Sequence, residues 1–302
     1  MAAALLWQLD AVSLAPARLS GVSLEIRAGV TAVLGCSGAG KTSLLNVLVG
    51  FEKAVRGIIA GPRRVFWVPQ NGGLWPHCTV REHLRIVQPS GEDIDATLDA
   101  FDLTARAEAR PGDISEGERA RLSVARALLV PADALVMDEP LAHVDTARVD
   151  KYWRAIRDRL TATGTSLVFA THEPERVLGE AERVVFLRDG TVQHAGDVAG
   201  FYADPPTPEL MDALGPGNWL TPEEAKIWLQ ASCERPRCFR PEQIEIEPAH
   251  ISPIVVRSSS FRGAIAEAEL HHLGAAAHRH FFHRPAGPNL PVGEPTVIRL
   301  RA

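Results

Sequence analysis

The chain has 302 residues, of which 46% are hydrophobic and 23% charged, and its formal net charge is −5 at pH 7. This length suffices for one large domain and one small one, and the composition is ordinary for a globular protein. The negative charge gives no electrostatic reason to expect a nucleic-acid partner. No apolar run approaches the ~18 residues of a membrane-spanning helix.

The N-terminal segment and the cysteines indicate a cytoplasmic protein. The opening MAAALLWQLD lacks a basic region, and its apolar run is too short for a secretory signal. The four cysteines contain no C-x-x-C pair, which is typical of free thiols in a reducing compartment.

Alternating strands and helices are predicted for residues 1–204, which we expect to form one domain. Continuous apolar runs at residues 30–35, 134–138 and 166–171 are typical of parallel strands that are buried on both faces. Residues 71–130 are predicted to be mainly helical, as an inserted subdomain. Asp189-Gly190 predicts the turn of a hairpin.

A Pro- and Gly-rich stretch after residue 204 marks a predicted domain boundary. Residues 205–234 are expected to form a linker with one short helix, within TPEEAKIWLQA. Residues 235–302 are expected to form a small all-β module, because stretches such as residues 264–270 alternate with period two.

The segment GCSGAGKT, residues 35–42, predicts a phosphate-binding loop between a strand and a helix, because it matches G-x-x-x-x-G-K-[ST]. Backbone N–H groups of such a loop cradle phosphate oxygens, helped by the helix dipole. Lys41 would reach the β- and γ-phosphates, and the Thr42 hydroxyl would bind Mg²⁺. The predicted nucleotide contacts here are Gly35, Cys36, Ser37, Gly38, Ala39, Gly40, Lys41, Thr42 and Ser43.

The segment ALVMDEP places two acids at the end of a predicted buried strand. Asp138 can hold Mg²⁺ there, directly or through water. Glu139 is placed to orient or deprotonate an attacking water. A solvated turn is the alternative, and the phosphate loop upstream argues against it.

The order of motifs resembles the ATP-binding subunit of an ABC transporter. After the phosphate loop, or Walker A motif, VPQNGGLWPHCTVREHL resembles that family's Q-loop, and ISEGERARLSVARALL resembles its signature. LVMDEP, AHVD and VFATHEPE are similar to its Walker B motif, D-loop and switch strand. The resemblance implies an α/β P-loop ATPase fold with a helical subdomain.

The resemblance also implies roles for particular residues, in a pair of domains that meet head to tail around ATP and Mg²⁺. The implied catalytic residues are Glu139, His172, Gln70 and Lys41. The implied metal ligands are Thr42, Gln70 and Asp138. Further nucleotide contacts come from the signature and the D-loop, namely Ser115, Gly117, Glu118 and Asp145.

The segment CFRPEQIEI resembles the opening of the TOBE module, an OB-like β-barrel of importer subunits. This implies an import ATPase at the cytoplasmic face of the membrane, with a second copy, a separate permease and a substrate-binding protein as partners. One alternative is a soluble ABC-type ATPase with a mechanical or regulatory role. Another is a ligand-sensing tail on a degenerate ATPase domain, against which Lys41, Asp138, Glu139 and His172 argue.

Several residues depart from the family pattern. Trp7 is the only aromatic residue before Phe51, and we expect it to pack in the first strand rather than to stack on adenine. His143 stands in the D-loop where a small residue is common.

The signature carries a glutamate, Glu116, in place of a glycine. Ser115 and Glu118 have the S-x-x-E spacing of a capping box. We hypothesise that Glu116 points away from the phosphate and weakens ATP-driven closure, and we expect Arg119 and Arg121 to offset the local charge.

The tail contains five histidines. His278 and His280 are predicted to share one strand face. No set of Cys or carboxylate partners completes a metal site, so we expect a polar surface. The five are His271, His272, His278, His280 and His283.

Overall fold

The computed structural model describes residues 3–88, 93–285 and 290–301. The chain divides into two compact units, Met1–Val198 and Ala199–Ala302. Among the helices of the described ranges, none combines the length and apolarity needed to cross a membrane.

The first unit is built on a six-stranded sheet. Its strands are β3 (Val30–Leu34), β5 (Val65–Val68), β6 (Ala134–Asp138), β7 (Ser166–Thr171), β8 (Arg183–Arg188) and β9 (Thr191–Asp197). The order is β5-β6-β7-β3-β8-β9, in which only β9 pairs antiparallel to its neighbour. Strands β6 and β7 are buried along their whole length, which explains their unbroken apolar sequence. The predicted hairpin turn is confirmed, with Asp189 and Gly190 at φ of 50° and 70°.

A three-stranded antiparallel sheet packs onto the same core. It consists of β1 (Leu5–Leu14), β2 (Leu19–Arg27) and β4 (Arg56–Ala60), in the order β2-β1-β4. Trp7 lies in β1 with 1% of its surface exposed, and its indole N–H donates to the Leu48 carbonyl at 3.1 Å. The prediction that Trp7 packs within the first strand is confirmed.

The helical subdomain lies between β5 and β6 in the chain. The helices of this unit are α1 (Lys41–Leu48), α2 (Val80–Val87), α3 (Ile94–Ala100), α4 (Glu116–Leu128), α5 (Thr146–Thr163) and α6 (Pro174–Glu180). Because β5 and β6 are neighbours in the sheet, the insertion of α2 to α4 leaves and re-enters the core at adjacent positions.

The second unit contains a five-stranded antiparallel sheet, which confirms the predicted all-β character of the tail. Its strands are β12 (Ile244–Pro248), β13 (Ile254–Phe261), β14 (Ala266–His272), β15 (Ala277–His283) and β16 (Pro295–Leu300), in the order β12-β16-β13-β14-β15. A single bridge between Glu245 and Arg284 links the two edges of the sheet.

Residues 205–234 differ from the prediction of a linker. The second unit already begins at Ala199, and these residues belong to it. They contain α8 (Pro208–Asp212), β10 (Asn218–Leu220) and α9 (Pro222–Leu229), while α7 (Val198–Ala203) precedes them and β11 (Arg237–Phe239) pairs with β10. Ala225, Trp228 and Leu229 of α9 are buried in one cluster with the apolar residues of the sheet. Their i, i+3, i+4 spacing makes α9 part of the module's core.

The tail histidines lie on both faces of the sheet. His271 is paired with His278 across β14 and β15, and their rings stack with centroids 4.1 Å apart. His280, two residues beyond His278, lies on this same exposed face, as predicted. His283 is buried on the other face, with 2% exposure. Within residues 3–88, 93–285 and 290–301, no cluster of three or more His, Cys, Asp or Glu side chains is arranged to hold a metal ion.

Arg240 ties the helical segments of the second unit to its sheets. The residue is only 1% exposed, and its guanidinium lies 4.2 Å from the centroid of the Tyr202 ring. It donates to the carbonyls of Tyr202 at 2.9 Å, Gly215 at 2.8 Å, Pro216 at 3.1 Å and Met211 at 3.3 Å. Since buried carbonyls need donors, this one side chain holds several loop segments in place.

We expect Arg240→Met to lower the free energy of unfolding of the second unit by about 2–4 kcal/mol, because buried carbonyls lose their donors. The matched control is Arg301→Met, which removes a surface pair with Glu245 at 2.9 Å and is expected to change stability by under about 1 kcal/mol. Calorimetric unfolding of the full chain measures both. Equal effects of the two substitutions would contradict the anchoring role.

Candidate functional site

The phosphate loop, residues 35–42, connects β3 to α1 with its backbone tightly packed. Gly40 precedes α1 at φ 102°, and a Cβ there would lie 2.8 Å from the Arg18 carbonyl oxygen. Lys41 is 8% exposed, and its ammonium donates to the carbonyls of Gly35 at 2.8 Å and Cys36 at 3.2 Å. The Lys41 ammonium is therefore hydrogen-bonded to the phosphate loop that precedes it.

Thr42 and Asp138 are in direct contact. The Thr42 hydroxyl donates to the Asp138 carboxylate at 2.6 Å. Asp138 ends β6 and is 2% exposed. Burial, reinforced by the neighbouring charge of Glu139, raises the pKa of the Asp138 carboxyl despite the hydrogen bond from Thr42. The helix after the phosphate loop and the end of β6 thus meet at two oxygen-bearing side chains.

Glu139 and His172 are also in contact. Glu139 directly follows β6, and His172 directly follows the neighbouring strand β7. Nδ1 of His172 lies 2.9 Å from Oε1 of Glu139. The backbone N–H of Glu139 donates to the Ala170 carbonyl at 3.1 Å, which ties the turn after β6 to β7.

The turn after β6 has an unusual backbone. Glu139, Leu141 and His143 have φ of 48°, 62° and 63°, in the left-handed region that non-glycine residues seldom adopt. Such conformations are costly and are retained where the surrounding structure imposes them, often at functional sites.

A cavity of about 330 Å³ adjoins these residues. It brings together Gln70 of the Q-loop, Asp138 and Glu139, with Glu116 and His143 at its wall. Among the described residues that line it, none belongs to the phosphate loop. Ser115, Gly117, Glu118 and Asp145 do not line it either.

The predicted capping box at the start of α4 is confirmed. The Ser115 N–H donates to Glu118 at 2.8 Å, and the Glu118 N–H donates to the Ser115 hydroxyl at 3.2 Å. Arg106 also contacts Glu118, at 3.2 Å. Although burial acts to raise it, the bonds from Ser115 and Arg106 hold the pKa of the Glu118 carboxyl below its ordinary value.

Glu116 is exposed and lies near two basic side chains. Its carboxylate is 3.6 Å from Nη2 of Arg119 and 3.9 Å from Nδ1 of His143. The D-loop also touches the next residue, because a Cβ on Gly117 would lie 2.8 Å from the His143 carbonyl oxygen. The signature and the D-loop of one chain are therefore packed together.

The expectation for Arg121 is wrong. Its guanidinium donates to the carbonyls of Phe101 at 2.6 Å and Asp102 at 2.9 Å, at the end of α3. Those carbonyls lack partners within their helix, so they attract this donor in place of Glu116.

Asp145, the predicted D-loop contact, caps α5, where its carboxylate accepts from the Ala147 N–H at 3.3 Å.

Sequence analysis did not single out Arg126, which lies in α4 with 3% exposure. Its guanidinium contacts the backbone of the Q-loop at Gly72 and Gly73. The one signal in the sequence is an arginine among the apolar residues at the end of this helix.

The comparisons with known proteins agree with this geometry. A family model described as ABC transporter matches residues 19–142. The chain is 29% identical over 222 residues to the Fe(3+) ions import ATP-binding protein of Fusobacterium nucleatum, covering 67% of this chain and 60% of that protein. It is 32% identical over 294 residues to the Sulfate/thiosulfate import ATP-binding protein of Methylococcus capsulatus, covering 83% of each.

Solved structures give the same fold. An ATP binding subunit of an ABC transporter superposes with a TM-score of 0.58 at 20% identity, covering 65% of this chain and 91% of that one. A dimeric ATP-binding cassette in a post-hydrolysis state, bound to ADP and Pi, gives a TM-score of 0.57 at 21% identity, covering 64% and 99%. With a relative at 32% identity that covers 83% of both chains, the protein belongs to the family of ATP-binding subunits of ABC import systems.

Proposed function

We propose that two copies of this chain meet head to tail, hydrolyse ATP between them and transmit the motion to a separate integral-membrane permease. The observation that carries the proposal is the contact of Glu139 with His172 at 2.9 Å, beside the contact of Asp138 with Thr42 at 2.6 Å. Four side chains from three segments thus converge at one edge of the sheet.

The phosphate loop and the end of β6 fit ATP and Mg²⁺. Thr42 and Asp138 offer a hydroxyl and a carboxylate oxygen, the hard ligands that Mg²⁺ prefers, and Gln70 lines the same cavity as Asp138. When bound, Mg²⁺ would offset the charge of the β- and γ-phosphates. Lys41 would turn its ammonium from the loop carbonyls to these phosphates.

Glu139 and His172 would carry the hydrolytic step. A water oxygen attacks the γ-phosphorus, the bond from that phosphorus to the bridging oxygen breaks, and ADP leaves. Glu139 orients the water and accepts its proton, while His172 holds the Glu139 carboxylate and contacts the γ-phosphate. The contact at 2.9 Å supports this division of roles, because it already orients the carboxylate.

The placement of the signature supports a second copy at each ATP. Ser115, Gly117 and Glu118 lie at the start of α4, and of residues 115–118 only Glu116 lines the cavity beside Asp138. A head-to-tail partner would supply its own α4 N-terminus, whose positive dipole end suits a γ-phosphate.

The tail and the relatives support an import role. Residues 235–302 would form the TOBE-like part of the module, and the relatives' names refer to import of Fe(3+) and of sulfate or thiosulfate. The chain would lie peripherally at the cytoplasmic face of the membrane. The permease, with a substrate-binding protein, would select the solute.

The decisive experiment is Glu139→Gln. We expect loss of at least 100-fold in ATP hydrolysis, because the water loses its base, with ATP binding retained and closed dimers accumulating. Phosphate release and size-exclusion chromatography with MgATP measure the two effects. The control is Glu175→Gln, an exposed acid of α6, expected within twofold of wild type. Hydrolysis by Glu139→Gln within a few-fold of wild type would remove Glu139 from this role.

Lys41→Ala tests the phosphate loop separately. We expect ATP affinity to fall at least tenfold, about 1.4 kcal/mol, because a charge on the β- and γ-phosphates is lost. Titration calorimetry measures it, with the exposed Lys53→Ala as the control. An unchanged affinity in Lys41→Ala would count against nucleotide binding at this loop.

Glu118 tests whether an acid can serve in the signature as a cap. Glu118→Gln should keep the stability and the hydrolysis rate close to wild type, since an amide oxygen can still accept from the Ser115 N–H. Glu118→Ala should lose about 1 kcal/mol of stability with the cap. Urea unfolding and phosphate release measure both. An equal loss of stability in the two variants would show that the charge, not the cap, matters.

A further inference from the structure

A stack of four side chains, of which Arg126 and His83 are buried and Phe66 and Trp75 are half-buried, joins the Q-loop to the helical subdomain. The guanidinium of Arg126 lies 4.8 Å from the ring centroid of Trp75 and 5.8 Å from that of Phe66. Trp75 also stacks on His83, with ring centroids 5.3 Å apart and ring planes 17° apart. The stack therefore contains one residue each from β5, the Q-loop, α2 and α4.

The Arg126 guanidinium also donates hydrogen bonds to backbone carbonyls of the Q-loop. Nη1 donates to the Gly73 carbonyl and Nη2 to the Gly72 carbonyl, both at 3.0 Å. Both glycines have positive φ, at 77° for Gly72 and 55° for Gly73. Ser123, one turn before Arg126, approaches so closely that a Cβ on Gly72 would lie 2.4 Å from its hydroxyl. One face of α4 is therefore fitted to the backbone two and three residues after Gln70.

His83 fixes the other end of the stack. It is fully buried, and its Nε2 accepts from the Trp75 N–H at 2.8 Å. Its Nδ1 lies 2.7 Å from the Thr79 carbonyl, to which it donates. Burial lowers the pKa of this imidazole, which suits a neutral ring with one donor and one acceptor nitrogen.

Burying the charged guanidinium of Arg126 costs the folded state free energy. Across the described part of the chain, no carboxylate forms an ion pair with it, and burial lowers the pKa of its guanidinium. Burying a charge without an opposite charge is unfavourable, so hydrogen bonds to the guanidinium must offset part of that cost. What this guanidinium provides is two directed bonds to adjacent carbonyls, which an apolar side chain cannot make.

We propose that Arg126 is a positioning residue that couples the loop carrying Gln70 to the signature helix. The inference rests on the proposed head-to-tail ATPase, in which Gln70 would be a ligand of Mg²⁺ at the ATP site. When the Q-loop moves, the two hydrogen bonds from Arg126 to its carbonyls transmit the displacement to α4. The same rigid helix begins at Ser115, about 16 Å away at 1.5 Å per residue, where the partner's γ-phosphate is to be met.

Arg126→Lys and Arg126→Met test the coupling in the full chain, with Arg121→Lys as the matched control. Arg121 lies on the same helix and also donates to two carbonyls, but those belong to the end of α3. We expect ATP affinity within twofold of wild type in all three variants. The kcat for ATP should fall at least tenfold in Arg126→Met, three- to tenfold in Arg126→Lys, and less than twofold in Arg121→Lys.

Two further measurements separate coupling from general destabilisation. In the Glu139→Gln background, Arg126→Lys should raise the ATP concentration that drives dimer formation at least threefold. Hydrogen exchange of the amides of residues 70–75 should accelerate at least threefold in nucleotide-free Arg126→Lys, while the melting temperature stays within a few degrees. A wild-type kcat in Arg126→Lys, or an equal loss in Arg121→Lys, overturns the coupling.

Failure of the coupling and failure of the ATPase proposal give different results. If Arg126→Met does not fold, the kcat and dimerisation of Arg126→Lys decide the matter alone. A wild-type chain without hydrolysis that Glu139→Gln abolishes would refute the ATPase proposal. Wild-type hydrolysis together with an unaffected Arg126→Lys would refute the coupling only.

Discussion

The parallel pairing of β3, β6 and β7 is the constraint on which the rest of the structure depends. These three strands end at one edge of the sheet, so the segments that follow them must meet there. The phosphate loop follows β3, Glu139 follows β6 and His172 follows β7. The bonds from Thr42 to Asp138 at 2.6 Å and between His172 and Glu139 at 2.9 Å are consequences of that pairing.

The segments at the carboxyl ends of these strands also carry features that lower the stability of the fold. Asp138 is 2% exposed, and burial raises the pKa of its carboxyl, so its ionised form is disfavoured in the nucleotide-free chain. Glu139 and His143 hold left-handed backbone conformations nearby. Neither feature stabilises the fold, because a buried ionised carboxylate and a left-handed non-glycine backbone both cost free energy. In the turn after β6, left-handed backbone and a buried carboxyl thus occur beside the residues that contact the nucleotide in our proposal.

Local features of the structure could be predicted from the sequence, whereas long-range ones could not. The buried strands, the turn at Asp189-Gly190 and the capping box of Ser115 with Glu118 depend on residues within a few positions of one another. The partners of Arg126 are 53 and 54 residues away, and they become visible only when α4 packs on the Q-loop. Likewise α9 reads as an isolated helix, because the sheet that buries Trp228 follows it in the chain.

The two glutamates of the signature have different positions and therefore different consequences. Glu118 is bound by Ser115 and Arg106, so its charge is already satisfied within the chain. Glu116 is 65% exposed, and a negative charge in the first turn favours α4 by about 0.3–1 kcal/mol through the helix dipole. The same positive end of the dipole would attract a γ-phosphate. Glu116 therefore already uses, within its own chain, the positive potential at the start of α4 that would attract a γ-phosphate in the proposed closed dimer. Arg119 and His143 are the basic side chains nearest to its carboxylate.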